Sequence, residues 1–152
     1  MKHALFALTF LLTLHAQAVS LSLNDVLADL PTLDDSLPTP KGVTGVDVGE
    51  RHWYHYEIVA YLDALTDASP RMTALGEHAR TYGGRPLVSY AISTPENIAK
   101  LDEIRAARAS IIDPAANVAL ADQPAVLHMM YSIHGNEPSA ANSTPLVAYY
   151  LN

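Results

Sequence analysis

Residues 125–140 read AVLHMMYSIHGNEPSA, an apolar run that leads into a small polar cluster and then a proline. The run 125–131 is almost entirely apolar and has the length of a strand that is buried on both faces of an α/β sheet. His134 and Glu137 follow at the carboxyl end of this strand, the edge where open α/β sheets bind ligands. An imidazole nitrogen and a carboxylate oxygen are both good donors to Zn2+, and the His-x-x-Glu spacing lets both reach one ion. The stretch therefore predicts two zinc ligands between a strand and a helix that begins at Pro138.

The spacing by itself leaves a second interpretation open. A catalytic zinc takes three protein ligands, and a His-x-x-Glu pair is more often a surface pair or a helix cap. The position favours a site, because Gly135 permits a tight backbone path and a helix start follows directly. Metal binding and helix capping are therefore both hypotheses for this pair.

The same residues carry a resemblance to a known family. Residues 131–137, YSIHGNE, resemble the first zinc-binding motif of the M14 zinc carboxypeptidases. Upstream, residues 80–87, RTYGGRPL, are similar to the Gly-Arg hairpin segment that precedes this motif in the family, and the helix-like stretch 52–65 lies where its first helix lies. The resemblance covers roughly residues 51–152. It implies an α/β fold in which helices cover a mixed sheet, with this chain forming the N-terminal part of it.

By this resemblance, His134 and Glu137 are the first two ligands of a Zn2+ cofactor. The implied activity is zinc-assisted hydrolysis of C-terminal peptide bonds, with peptides or proteins that have a free C-terminus as substrates. The family also needs a histidine as the third zinc ligand, a glutamate as the general base and an arginine that binds the substrate carboxylate. We expect these downstream of residue 152, so the catalytic and substrate-binding residues stay unassigned and the chain alone is expected to be inactive.

One departure from the family keeps other functions open. Asn136 stands where many digestive members have arginine, which puts in doubt a contact to the peptide carboxylate. His-Gly-Asn-Glu also occurs in related deacylases that cleave N-acyl amino acids, of the succinylglutamate desuccinylase and aspartoacylase kind. The alternatives are therefore a zinc-dependent deacylase or a non-catalytic exported binding module.

The first 18 residues have the pattern of a secretory signal peptide. Lys2 gives a positive start, residues 4–14 are an apolar core, and residues 16–18, Ala-Gln-Ala, form a small-x-small cleavage signal. The alternative, a membrane anchor, is disfavoured because a spanning helix needs about 20 apolar residues. The sequence predicts an exported protein, periplasmic or secreted, with no stable membrane insertion after cleavage.

The remaining composition limits the partners. Without Lys2, 8 basic residues face 16 acidic ones, a formal charge of −8 with histidine neutral. This charge argues against nucleic acid as a partner. The chain has no cysteine, so no disulfide is available in the oxidising exported compartment.

The chain divides into the signal peptide 1–18, an N-terminal segment and linker 19–50, and the carboxypeptidase-like part 51–152. In the second part we expect a short helix at 21–30 and a loop at 31–50. In the third we expect elements in this order: helix 52–65, strands 72–79 and 87–93 around a Gly-Gly turn, a helix from Thr94 to about Ser110, the strand 125–131, and a helix after Glu137 that kinks or restarts at Pro145.

Other polar residues admit both a functional and a structural interpretation. His52 and His55 form a possible second metal pair, or an exposed first turn of a helix. Asp34 and Asp35 are a possible cation site, or a solvated acidic loop. Arg85 is a possible contact for an acidic group of a ligand, or a structural residue that ties the hairpin turn to a carboxylate. His128 is predicted to be a buried core histidine.

Overall fold

The computed structural model describes residues 34–113 and 123–152, together with Asp25, Ala115, Ala119 and Ala121. The predicted signal peptide, all but one residue of the predicted helix 21–30, and part of the loop before residue 124 lie outside these residues. The chain order is α1 (Pro40–Thr44), α2 (His55–Ala68), β1 (Met72–Arg80), β2 (Pro86–Ile92), α3 (Pro95–Ala99), α4 (Leu101–Ile111) and α5 (Pro138–Leu151). The fold is mixed α/β, as predicted, with a two-stranded antiparallel sheet in the described part of the chain.

Helix α2 forms the centre of the core. Tyr61 and Leu65 have no exposed surface, and Leu62 is buried beside them. The spacing of apolar residues from Tyr54 to Leu65 predicts one buried helical face, which is confirmed for these three positions, whereas Tyr54 is the N-terminal cap residue and 60% exposed. The helix packs against α1, β1 and α5. The core cluster consists of Leu37, Tyr61, Leu62, Leu65, Met72, Ala148 and Tyr149.

Helix α2 begins three residues later than the sequence pattern predicts, because residues 51–54 are held in an extended path. Glu57 accepts a hydrogen bond from the amide of Tyr54, and Arg51 makes two bonds to the same carboxylate at 2.9 and 2.6 Å. The Arg51 guanidinium, followed by the Tyr54 amide, lowers the pKa of the Glu57 carboxyl from its usual range. Glu57 is thus a buried, paired side chain that fixes the start of the helix.

The predicted hairpin is confirmed. β1 and β2 pair antiparallel from Met72 opposite Ile92 to Arg80 opposite Pro86, with two register irregularities. The turn between them needs a left-handed residue, which Gly84 provides at φ 77°. The structural role predicted for Arg85 belongs instead to Arg80, whose guanidinium donates to the Gly84 carbonyl and to Glu77.

The helix predicted from Thr94 is present but broken. The Thr94 hydroxyl accepts from the amide of Asn97, and Pro95 occupies the first helical turn, as predicted. Lys100 then separates α3 from α4, and α4 ends at Ile111. Nothing in the structure explains why the interruption falls at Lys100.

Helix α5 begins at Pro138, as predicted, and continues through Pro145 as one helix. Of the two outcomes considered for this proline, a restart after residue 144 is thus excluded. Pro145 is fully buried, and Ala148 and Tyr149 on the same helix complete the core against α2. Packing of this face compensates for the amide that proline lacks.

The sequence predicts a loop at residues 31–50, but part of the described segment 34–50 is helical. It includes the short helix α1, which begins after Thr39, and the Thr39 hydroxyl accepts a capping hydrogen bond from the amide of Gly42. Leu37 is buried in the core, and Pro40 is fully buried. This segment therefore packs onto the part of the chain that follows it.

The prediction of a buried strand at 125–131 is wrong for the described structure. These residues form neither helix nor strand, and Leu127 and Met130 are 81% and 65% exposed. His128 is likewise exposed, so it is not a core histidine. A strand requires a partner for its backbone amides and carbonyls, and within the described residues β1 and β2 pair only with each other. An apolar pattern alone cannot supply that partner.

Among the described residues, the helices are too short or too polar for any of them to cross a membrane.

Candidate metal site

The His134–Glu137 pair is closed by two contacts. The amide of Glu137 donates to the carbonyl of His134 at 3.0 Å, which makes residues 134–137 a hydrogen-bonded turn. The side chains meet as well, with His134 Nδ1 2.9 Å from Glu137 Oε2. The predicted pair is therefore brought together by the local backbone, as a spacing of three residues allows.

Both side chains are open to solvent. The imidazole is 66% exposed and the carboxylate is 63% exposed. An ion pair this exposed contributes little to folding stability. Its two donor groups are instead accessible to a ligand from solution.

The capping interpretation of Glu137 is not supported by its contacts. Glu137 is the residue that caps α5, with φ −115° and ψ 72°, yet its side chain makes no hydrogen bond to the amides of the helix. The carboxylate is directed to His134 instead. What remains of the capping interpretation is the favourable charge of a carboxylate near the positive end of a helix.

The unusual backbone conformation of the site lies two residues before His134. Ser132 has φ 60°, the one positive value at a non-glycine residue in the described part of the chain. By contrast, Gly135 does not adopt a left-handed conformation, and a Cβ atom added there would meet nothing within 4 Å. Contrary to the prediction, the backbone does not require glycine at position 135, and the unusual conformation is at Ser132. Serine has no sequence signal that would reveal this.

The donor set fits two positions of a zinc ion. Two ligands of a tetrahedral zinc at about 2.0 to 2.1 Å lie about 3.3 to 3.4 Å apart. The Nδ1 to Oε2 distance of 2.9 Å is within about 0.5 Å of this, a change that side-chain rotation can supply at exposed groups. The zinc would lie between these two atoms, bound to Nδ1, and the neutral imidazole would then carry its one hydrogen on Nε2.

A third ligand has no candidate among the residues that the structure describes. The described residues contain no group of three or more histidine, cysteine, aspartate or glutamate side chains arranged to hold a metal. His134 and Glu137 therefore stand as an incomplete ligand set in this part of the chain.

His52 and His55 are hydrogen-bonded to different parts of the fold. His55 Nε2 lies 2.9 Å from the carbonyl of Pro86, and His52 Nδ1 lies 3.0 Å from the side-chain nitrogen of Asn142. Each imidazole has its own structural partner, so the interpretation as a metal pair is not supported. Asp34 likewise has a structural role, since its carboxylate accepts from the amide and the hydroxyl of Ser36. These hydrogen bonds lower the pKa of the Asp34 carboxyl.

Asn142 is a residue of the site region that the sequence analysis does not single out. It lies on α5, one turn after Glu137, and bonds to residues 52 and 53. No sequence pattern connects positions about 90 residues apart.

Comparisons of the chain with protein-family models, with curated proteins and with solved structures give no match. Function is therefore inferred from the residues of the pair and their contacts. The relevant facts are two accessible zinc donors on one turn, a carboxylate that is not used as a cap, and a strained residue just before them.

Proposed function

We propose that this chain supplies the first two zinc ligands, His134 and Glu137, of an exported zinc-dependent carboxypeptidase that hydrolyses C-terminal peptide bonds. The observation that supports it is the 2.9 Å contact between His134 Nδ1 and Glu137 Oε2, made by a carboxylate that forms no capping bond. The motif YSIHGNE, with its resemblance to zinc carboxypeptidases, supplies the substrate class.

In this proposal the two side chains have different parts. His134 contributes a neutral nitrogen donor, and Glu137 contributes the negative charge that offsets the charge of the ion. When bound, zinc polarises the scissile carbonyl and lowers the pKa of its bound water to about 7. The third ligand and the general base come from polypeptide outside the described residues.

The proposal includes the larger fold and the compartment. Residues 125–131, exposed and unpaired among the described residues, become a buried strand when a larger mixed sheet, covered by helices, forms around them. The pair then lies at the carboxyl end of that strand, where ligands bind. Cleavage after Ala18 delivers the protein to the periplasm or the medium.

The test of the site is metal content in the full-length protein. His134→Ala and Glu137→Gln should both lose zinc on dialysis, because each removes one donor. His55→Ala is the matched control, since that imidazole is bonded to Pro86 and should leave zinc unchanged. One equivalent of zinc retained in both site variants would refute the assignment.

The substrate class is tested separately with the zinc-loaded protein. Release of a C-terminal residue from a blocked dipeptide supports the carboxypeptidase. Hydrolysis of N-acyl amino acids alone makes the protein a deacylase. Zinc binding without turnover of either substrate makes it a binding module.

A further inference from the structure

Asn142 connects the start of α5 to a distant part of the chain. Its Oδ1 accepts from the amide of Trp53 at 2.8 Å, and its Nδ2 donates to the carbonyl of Pro138 at 2.8 Å. The same nitrogen lies 3.0 Å from His52 Nδ1. The side-chain amide therefore uses three of its four hydrogen-bonding positions.

The orientation of this amide follows from its partners. The backbone nitrogen of Trp53 can only donate, and the carbonyl of Pro138 can only accept. Asn142 must therefore direct its oxygen at Trp53 and its nitrogen at Pro138. His52 Nδ1, which faces that nitrogen, is then the acceptor of this hydrogen bond.

The segment that holds Asn142 is itself firmly held. Trp53 is buried at 8% exposure, and the buried Glu57 ties down both neighbours of the segment 52–53. Its carboxylate receives two bonds from Arg51 and one from the amide of Tyr54. Asn142 thus joins α5 to a fixed point beside α2.

By contrast, the residues before α5 have few ties. Among the described residues, those from 125 to 137 form hydrogen bonds only within their own segment, such as Tyr131 with Met129 and His134 with Glu137. The bond from Asn142 to the Pro138 carbonyl is made directly after Glu137. Among the described residues, it is the nearest side-chain hydrogen bond by which the turn 134–137 is connected to residues 52–53.

We infer that Asn142 is a positioning residue for the His134–Glu137 pair. It fixes the first turn of α5 against residues 52–53 and thereby sets the orientation of Glu137, which directly precedes this turn. Its role as a support of zinc binding rests on the proposed function. Outer residues that hold metal ligands in place typically change metal affinity about 10- to 100-fold when they are replaced.

The experiment, in the full-length protein, compares Asn142 on α5 with Asn152, the residue that caps the C-terminal end of the same helix. Asn142→Asp keeps the acceptor for Trp53 and removes both donors, and Asn142→Ala removes all three bonds. Asn152→Ala is the matched control, because Asn152 also donates to the carbonyl four residues earlier, that of Ala148, but at the other end of α5. Circular dichroism establishes that each variant is folded.

The first measurement needs no metal. Exchange of the Glu137 amide, which donates to the His134 carbonyl, is followed by NMR. It should be faster in both Asn142 variants and unchanged in Asn152→Ala. Unchanged exchange in the Asn142 variants, or the same acceleration in Asn152→Ala, would overturn the inference.

The second measurement is the zinc dissociation constant, by competition with a chromophoric chelator. Asn142→Asp should raise it about 10-fold or more, with Asn152→Ala equal to wild type. Wild-type affinity in Asn142→Asp overturns the positioning role even when His134→Ala abolishes binding. If His134→Ala binds zinc like wild type, the proposed function fails instead, and amide exchange alone decides whether Asn142 holds the turn.

Discussion

Replacing Tyr61 with phenylalanine tests the core with the loss of a single oxygen atom. Tyr61 has no exposed surface, and its hydroxyl donates to the carbonyl of Pro38 at 3.2 Å. The ring remains in Tyr61→Phe, so no cavity forms and the change is confined to this hydrogen bond. Such a bond contributes about 0.5 to 1.5 kcal/mol. We expect the variant to lose about 1 kcal/mol of unfolding free energy at neutral pH.

The same hydroxyl gives a distinct pH dependence. Burial raises the pKa of the Tyr61 phenol well above its ordinary value of 10.0, and the nearby Tyr149 raises it further. The phenol therefore ionises in the unfolded chain near pH 10 but keeps its proton in the folded one. Above pH 10 the unfolded state binds fewer protons, so stability falls as pH rises, by at most about 1.4 kcal/mol per pH unit for this group.

Tyr61→Phe lacks this alkaline loss. Its stability curve should therefore approach the wild-type curve above pH 10, after lying below it at pH 7. Tyr90, whose pKa burial also raises, is present in both proteins and cancels in the difference.

The assay is urea unfolding followed by the fluorescence of Trp53, the one tryptophan of the chain, at intervals from pH 7 to 11. The reasoning is refuted if the variant is as stable as wild type at pH 7. If the stability curves of the two proteins stay parallel up to pH 11, only the argument from the raised pKa of Tyr61 is refuted.

Three further substitutions test the packing, a cap and the hairpin turn. Leu65→Ala should lower the unfolding free energy by about 2 to 5 kcal/mol in urea titrations, because the side chain is fully buried, and a loss below about 1 kcal/mol would contradict the core. Thr94→Ala should cost about 1 kcal/mol through loss of the bond from Asn97, measured as a lower melting temperature that Thr94→Ser restores. Gly84→Ala should lower the unfolding free energy by about 1 to 2 kcal/mol, because Gly84 has a φ of 77°. Gly83→Ala is the control, since Gly83 is not left-handed, and an equal loss of stability in both variants would exclude backbone strain as the cause.

Elements with strong local signals could be predicted from the sequence. The hairpin follows from alternating apolar residues around Gly83 and Gly84, and the start of α3 follows from Thr94 and Pro95. These signals depend on residues within a few positions of one another, where backbone geometry decides the outcome. The start of α2 was misplaced because residues 51–54 are held by contacts to Glu57 and Asn142, of which the latter lies about 90 residues away.

The strand 125–131 shows the limit of periodicity. Its apolar residues satisfy the pattern of a buried strand, but pairing requires another backbone at the right distance. In the described structure both strands of the hairpin are paired with each other, and Leu127 and Met130 face solvent. A hydrophobic pattern states what a segment would do when it is covered, and the cover is a property of the rest of the fold.

The site divides along the same line. A spacing of three residues on one turn places His134 Nδ1 and Glu137 Oε2 within reach of each other whatever surrounds them, so the pair was predictable. The direction of the turn is not local, because it depends on how α5 is held at Asn142. A pair that is this exposed gains little stability from its own contact. If the pair is the ligand set that we propose, its precision must therefore come from the helix behind it, and Asn142, rather than a further residue of the turn, is the residue that holds this helix in place.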